Sequence, residues 1–126
     1  MIIKVDQLQW HDAKIIGLSM ESKKDSFDLI TLNLQSFAFK EDFNRNEIAV
    51  QIRDCYKVKL NFNLWVVDRD TIVDTVLEKE NPWIAEEKAN FRNNFGPREL
   101  FYFQLWTVTD SKIEMLLTSE NCLTVA

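Results

Sequence analysis

The most regular feature of this chain is alternation of apolar and polar side chains. From Tyr56 to Val66, the residues Tyr56, Val58, Leu60, Phe62, Leu64 and Val66 fall on one face of an extended chain, and Lys57, Lys59, Asn61 and Asn63 on the other. A helix would scatter those apolar residues around its circumference, so the segment is predicted to be a long strand. Shorter runs repeat the pattern. Ile16, Leu18 and Met20 alternate with Gly17 and Ser19; Ile30, Leu32 and Leu34 with Thr31, Asn33 and Gln35; Ile48, Val50 and Ile52 with Ala49, Gln51 and Arg53. Phe101, Phe103 and Leu105 alternate with Tyr102, Gln104 and Trp106, and Ile113, Met115 and Leu117 follow after Asp110-Ser111, a pair suited to a hairpin turn. Ser22-Lys23-Lys24-Asp25 reads as another turn, and Asn121 to Val125 as strand-like. Strands this close in sequence pair antiparallel, because parallel pairing needs crossover connections that the spacing does not leave room for.

Two segments break the period. Thr71 to Leu77 places Ile72, Val73, Val76 and Leu77 at helical spacing, but Thr71, Ile72, Val73, Thr75 and Val76 are β-branched and lose rotamer freedom in a helix, so a strand is expected. Residues 82–93 read as the one helix. Asn81 can cap it, Pro82 suits its first turn, and Asn94 with Gly96-Pro97 stops it. Its stripe of Ile84, Ala85, Ala89 and Phe91 is thin, which predicts a helix at the sheet edge or in a long connection. The expected fold is mainly β, α+β by strict count: an antiparallel sheet of about seven to eight strands, curved or sandwich-like. At roughly 100–200 residues per domain, residues 1–126 make a single domain.

Composition narrows the chemistry more than the fold. Two Gly, two Pro and nine Phe exclude disordered and low-complexity classes. Isolated Gly17 and Gly96 cannot write a phosphate-binding loop, and a single His with two Cys excludes a metal site built on several such ligands. Asp68, Asp70 and Asp74 offer hard oxygen ligands, but a calcium loop starting at Asp68 would have Val73 and Lys79 where glycine and glutamate are needed. No metal and no cofactor are expected. The opening Met1 to Asp6 turns polar before a signal-length apolar run develops, and no segment has the length of a spanning helix. Cys55 and Cys122 then read as thiols in a reducing compartment, and the expected location is the cytoplasm, away from any membrane.

The formal charge is −5, from 15 basic and 20 acidic residues, which opposes nucleic-acid binding. The charge is concentrated. Between Asp68 and Asn90, Asp68, Asp70, Asp74, Glu78, Glu80, Glu86 and Glu87 face only Arg69, Lys79 and Lys88, a net of −4. Trp83 lies in the same stretch. Acidic groups around an aromatic anchor suit a basic protein partner, with charge steering the encounter and the ring supplying a desolvated centre. Asp68, Asp70, Asp74, Trp83, Glu86 and Glu87 are therefore the candidate partner-binding residues. The plainer alternative is that Trp83 packs on the sheet while the acids are solvated.

Trp10-His11-Asp12-Ala13-Lys14-Ile15 followed by Asp28-Leu29-Ile30-Thr31-Leu32, and Ile52-Arg53-Asp54-Cys55-Tyr56-Lys57-Val58 running into Leu60-Asn61-Phe62-Asn63, carry a resemblance. They resemble a group of small bacterial domains, some of which look like immunity proteins of contact-dependent or polymorphic toxin systems. The resemblance implies Trp10, His11, Asp12, Asp54 and Cys55 as characteristic positions without an established chemical role. A structural role is expected for them: the Trp10 indole covering the core while its N–H meets a carbonyl, and the Asp54 carboxylate fixing a turn. His11 is expected to tie the first turn to the sheet, and it can pair with Asp12 only if the backbone turns there. The leading expectation is a non-enzymatic protein–protein interaction module, an immunity protein occluding a basic toxin. The alternative is a small-molecule-binding domain or hydrolase with a pocket around Trp10, His11, Asp12 and Asp54. A homo-oligomer through a strand edge or the Trp65-Val66-Val67 face is a third.

Overall fold

A computed structural model describes residues 2–8, 10–22, 29–35, 47–63 and 70–125. Within them run β1 (Ile2–Ile3), β2 (Lys14–Glu21), β3 (Leu29–Gln35), β4 (Glu47–Ile52), β5 (Cys55–Asn61), β6 (Asp70–Glu78), α1 (Pro82–Phe95), β7 (Phe101–Thr107), β8 (Lys112–Leu117) and β9 (Leu123–Val125). The strands form one nine-stranded antiparallel sheet in the order β1-β9-β4-β3-β2-β6-β7-β8-β5, not closed into a barrel. The expected mainly-β class with one helix is what forms. The strand beyond the expected count is β1, two residues long and too short to show a period.

The sheet consists of two ladders, β1-β9-β4-β3-β2 and β6-β7-β8-β5, joined where Lys14 meets Thr71 and Ile15 meets Asp70. A single core takes Leu32, Leu34, Val50 and Ile52 from the first ladder and Phe103, Leu105, Ile113 and Met115 from the second. The two ladders therefore pack on one another through it. Three register shifts, at Ile15/Gly17, Cys55/Lys57 and Ile72/Asp74, bend the strands as extra residues do, by unpairing locally and increasing the twist. The segment between β1 and β2 adds Val5, Leu8, Trp10 and Ala13 to the core.

These shifts explain the broken periods. Residues 71–77 lie in a strand, as their β-branching predicts, and the shift next to Val73 changes the alternation midway. In β5 the shift beside Tyr56 has a larger effect. Val58 packs against the main core while Tyr56 packs against the helix, so the two do not share a face as plain alternation predicts. Leu64 and Val66 of the predicted strand, the Trp65-Val66-Val67 face and Lys23 to Asp25 of the predicted turn lie outside the described residues.

The helix extends to Phe95, two residues past its predicted end. The Asn81 side chain accepts from Trp83 N at 2.9 Å, Pro82 occupies the first turn, and Gly96 ends the helix at φ 86°, a left-handed backbone that favours glycine. The helix does not hang in a connection. It lies on the outer face of the second ladder, where Trp83, Ile84 and Phe91 form a second core with Leu100, Tyr102 and Leu116, against which Tyr56 packs. Of the predicted stripe, Ala85 and Ala89 face solvent. β7 is consequently covered on both sides, Phe103 and Leu105 by the main core and Tyr102 by the helix, which accounts for its nearly unbroken apolar run.

Candidate functional site

The second core decides what the predicted partner surface can do. Trp83 is 8% exposed, edge-on to Tyr102 with ring centroids 6.4 Å apart. The Lys59 Nζ stands 4.0 Å from the centre of its ring, a cation–π contact. Trp83 packs on the sheet, and in this conformation it offers no exposed ring to a partner. Glu87 is engaged as well. Its Oε1 accepts from Lys57 Nζ at 2.6 Å and its Oε2 from the Tyr56 hydroxyl at 3.4 Å. The Lys57 contact is the main reason the Glu87 carboxyl is held below the usual carboxylate range, and the same contact pushes the Lys57 ammonium up. Lys57 and Lys59 are exposed, as alternation predicts, and from that face they meet the Glu87 carboxylate and the Trp83 ring of the helix.

The other acids separate. Asp68 lies outside the described residues. Asp70 is drawn into the β7–β8 turn, where its Oδ2 accepts from the Thr107 and Thr109 hydroxyls, each at 2.6 Å. That turn is further tied to the end of β5 by Asn63, whose backbone N–H donates to Ser111 Oγ at 2.9 Å. Asp70 Oδ1 is buried without a hydrogen-bond partner among the described residues, a cost that marks Asp70 as a structural clamp rather than a contact residue. The five of the six predicted contact residues that are described divide by role. Asp74 and Glu86 are exposed, with Asp74 Oδ1 accepting from Thr75 N at 2.8 Å, whereas Glu87 and Asp70 make contacts within the fold and Trp83 is core.

Of the positions that carry the resemblance, Trp10 and Cys55 are buried, Asp54 is partly exposed, and His11 and Asp12 are exposed. Trp10 is 3% exposed, donates its indole N–H to Val5 O at 2.8 Å, and lies against Phe103 with centroids 5.4 Å apart. The backbone does turn at Asp12, with φ 67°, and this brings His11 Nδ1 to 3.0 Å from Asp12 Oδ2. The pair is 68% and 69% exposed, so it stands in water. The turn is fastened to the sheet by the Asp12 backbone N–H donating to Ile72 O at 2.9 Å, not by the His11 ring. Asp54 fixes its turn through the main chain. It adopts φ 60°, and its carbonyl accepts from Thr118 N at 2.8 Å, where a carboxylate role was expected. Cys55 and Cys122 are buried thiols, and burial pushes the Cys122 thiol up to about 12, with the Asp54 charge adding to it.

Sequence reasoning passed over Trp106. Parity places it on the outer face with Gln104 and Tyr102, and the helix covers only the Tyr102 end of that face. Trp106 belongs to neither core and is partly exposed. Across the ladder it pairs with Asp74 on β6 and Lys112 on β8, and the adjacent rows bring Val76, Gln104 and Glu114, then Glu78. The signal was present in the alternation that places Trp106 opposite Leu105. Among the described residues, no group of three or more His, Cys, Asp or Glu could hold a metal ion, and no helix is long and apolar enough to cross a membrane. No family model matches the chain, and no curated protein or solved structure matches it either.

Proposed function

We propose that the chain is a non-enzymatic protein-binding module that occludes a basic partner, in the manner of an immunity protein set against a basic toxin. The observation that carries this reading is the partly exposed Trp106 on the uncovered half of the outer face, with Asp74 directly across the ladder. An aromatic ring flanked by charge is the arrangement that gives an interface its anchor, and the exposed Asp74 and Glu78 along β6 would steer a basic protein toward it. Glu86, exposed near the start of the helix, extends the acidic border. Of the contact residues expected from the sequence, this surface keeps Asp74 and Glu86, with Trp106 in the place given to Trp83. Buried thiols at Cys55 and Cys122 fit a reducing cytoplasm as the place of action.

The test is capture from a lysate of the source organism by the immobilised chain, followed by association kinetics with the captured protein. A basic protein retained by the wild type, lost with Trp106→Ala or Asp74→Lys, and associating more slowly as salt rises supports the reading. Equal capture by both variants overturns it. A dimer in solution that Trp106→Ala converts to monomer would assign the face to a second copy of the chain and overturn it too.

A further inference from the structure

The other flank of the helix bears the opposite charge. Ile84, Lys88, Phe91 and Arg92 recur at helical spacing and so share one side of α1. Past the helix, Gly96 turns the chain at φ 86°, with its N–H bonded to Arg92 O at 3.0 Å and its carbonyl accepting from Arg98 N at 2.9 Å. This fold-back sets Arg98 and Leu100 facing the same helix flank, and together they enclose a cleft of about 520 Å³. That volume lies within the range of roughly 300–1,000 Å³ common to small-molecule sites. Ile84, Phe91 and Leu100 make an apolar floor, and Lys79, Lys88, Arg92 and Arg98 line it as cations.

The charges are the unexpected part. The chain has 20 acidic side chains to 15 basic ones, and Glu80 and Glu99 line this same cleft. Even so, among the described residues Lys88, Arg92 and Arg98 have no ion-pair partner, and Lys79 reaches only Glu120, at 4.0 Å. Like charges collected around an apolar floor repel one another, and an anion placed among them would relieve that repulsion. Summing charge over Asp68–Asn90 conceals the feature, because of the described acids in that stretch only Glu80 lines the cleft with Lys79 and Lys88.

We propose that this cleft binds a small amphipathic anion. Its carboxylate or phosphate is held by Lys88, Arg92 and Arg98, and its short apolar body lies along Ile84, Phe91 and Leu100. Guanidinium groups suit this task, since their forked donors match the paired oxygens of both anions. The site is separate from the Trp106 face, and its occupancy does not depend on a protein partner.

The experiment is titration of the full chain with monomeric octyl phosphate, octanoate, octanol and octyltrimethylammonium, followed by calorimetry and backbone amide shifts. Saturable binding of the two anions, with shifts centred on residues 84–100 and weakened by salt, is the expected result. The exposed Arg92→Gln and Arg98→Gln changes should each weaken octyl phosphate binding by about tenfold, the size of one lost charge-assisted contact, without altering the melting temperature. Octanol binding as tightly as octyl phosphate would overturn the proposal, as would undiminished affinity in the Arg92→Gln/Arg98→Gln double variant. Sedimentation with phosphatidylglycerol vesicles in the absence of binding to the free anions would replace the small molecule with a lipid surface and equally overturn it.

Discussion

Trp83→Ala separates a core role from a binding role more sharply than any other single change. The side chain is 8% exposed, so the truncation removes nearly all of a buried ring. An aromatic side chain buries roughly 150–250 Å², and at about 25 cal/mol per Å² this corresponds to some 4–6 kcal/mol, an upper bound because the unfolded chain is itself partly collapsed. Measured losses for buried aromatic-to-alanine changes run at about 3–5 kcal/mol, and the lower part of that range is expected here because the helix can settle partway into the gap. Unfolding entropy of roughly 2.1 cal/mol/K per residue over 126 residues is about 0.26 kcal/mol/K, so a loss of about 3–4 kcal/mol should lower the melting temperature by about 11–15 °C. The assay is thermal unfolding by circular dichroism, with urea titration of the same variant to confirm an unchanged m-value. Trp106→Ala is the internal control, because a partly exposed ring outside both cores should cost about 1 kcal/mol or less. A Trp83→Ala protein that melts within about 3 °C of the wild type would refute the packing argument, since such a shift is worth less than 1 kcal/mol.

Three further outcomes follow from the contacts and charges described. Glu87 titrates below its ordinary 4.5 because of Lys57, so its stabilising contribution is complete above pH 4.5 and is lost as pH falls through the depressed value; side-chain carboxyl NMR of Lys57→Met should show the Glu87 midpoint rising, and an unmoved midpoint would dismiss the pair. Cys122, raised from 9.0 to about 12, favours the folded state fully below pH 9 and progressively less between 9 and 12. Native protein at pH 8 should therefore leave Cys122 unmodified by iodoacetamide, while urea-unfolded protein reacts. Gly96→Ala meets open space but a φ of 86°, so urea unfolding should show a loss of about 1–2 kcal/mol from backbone strain alone.

The alternation in β3, β4, β7 and β8 was legible because each of those strands keeps one face on the main core without interruption. The helix ends were legible for the same kind of reason: Asn81-Pro82 and Gly96 act locally, whatever the rest of the chain does. What could not be read was anything set by a register shift. Nothing in Cys55-Tyr56-Lys57 announces that Tyr56 turns to the helix side, joining Lys57 and Lys59 on the face that Glu87 and Trp83 meet. The candidate site failed on the same ground. A charge sum along the sequence treats Asp70, Asp74, Glu87 and Lys88 as neighbours, whereas the fold sends them to a turn, an open sheet face, an ion pair with Lys57 and a basic cleft. Trp106 needed only the parity rule, but its exposure depended on how much of the outer face the helix would cover.

The pairing of β9 sets the order in which this sheet can be finished during synthesis. Among the described residues β9 alone bridges β1 and β4, with Ile2 opposite Thr124 and Ile52 opposite Leu123. The β6–β7–β8 ladder is made of near neighbours and can zip while the ribosome is still translating, since local contacts cost little loop entropy. One border of the first ladder, by contrast, stays open until residues 123–125 have left the exit tunnel. Until then Val50 and Ile52 have an unpaired backbone edge beside them, the kind of template onto which a second nascent chain could add its own strand. Pulse proteolysis of ribosome-bound chains, stalled on C-terminal extensions too short or long enough to bring Val125 out of the tunnel, would detect the closure as a sudden gain in resistance around β4.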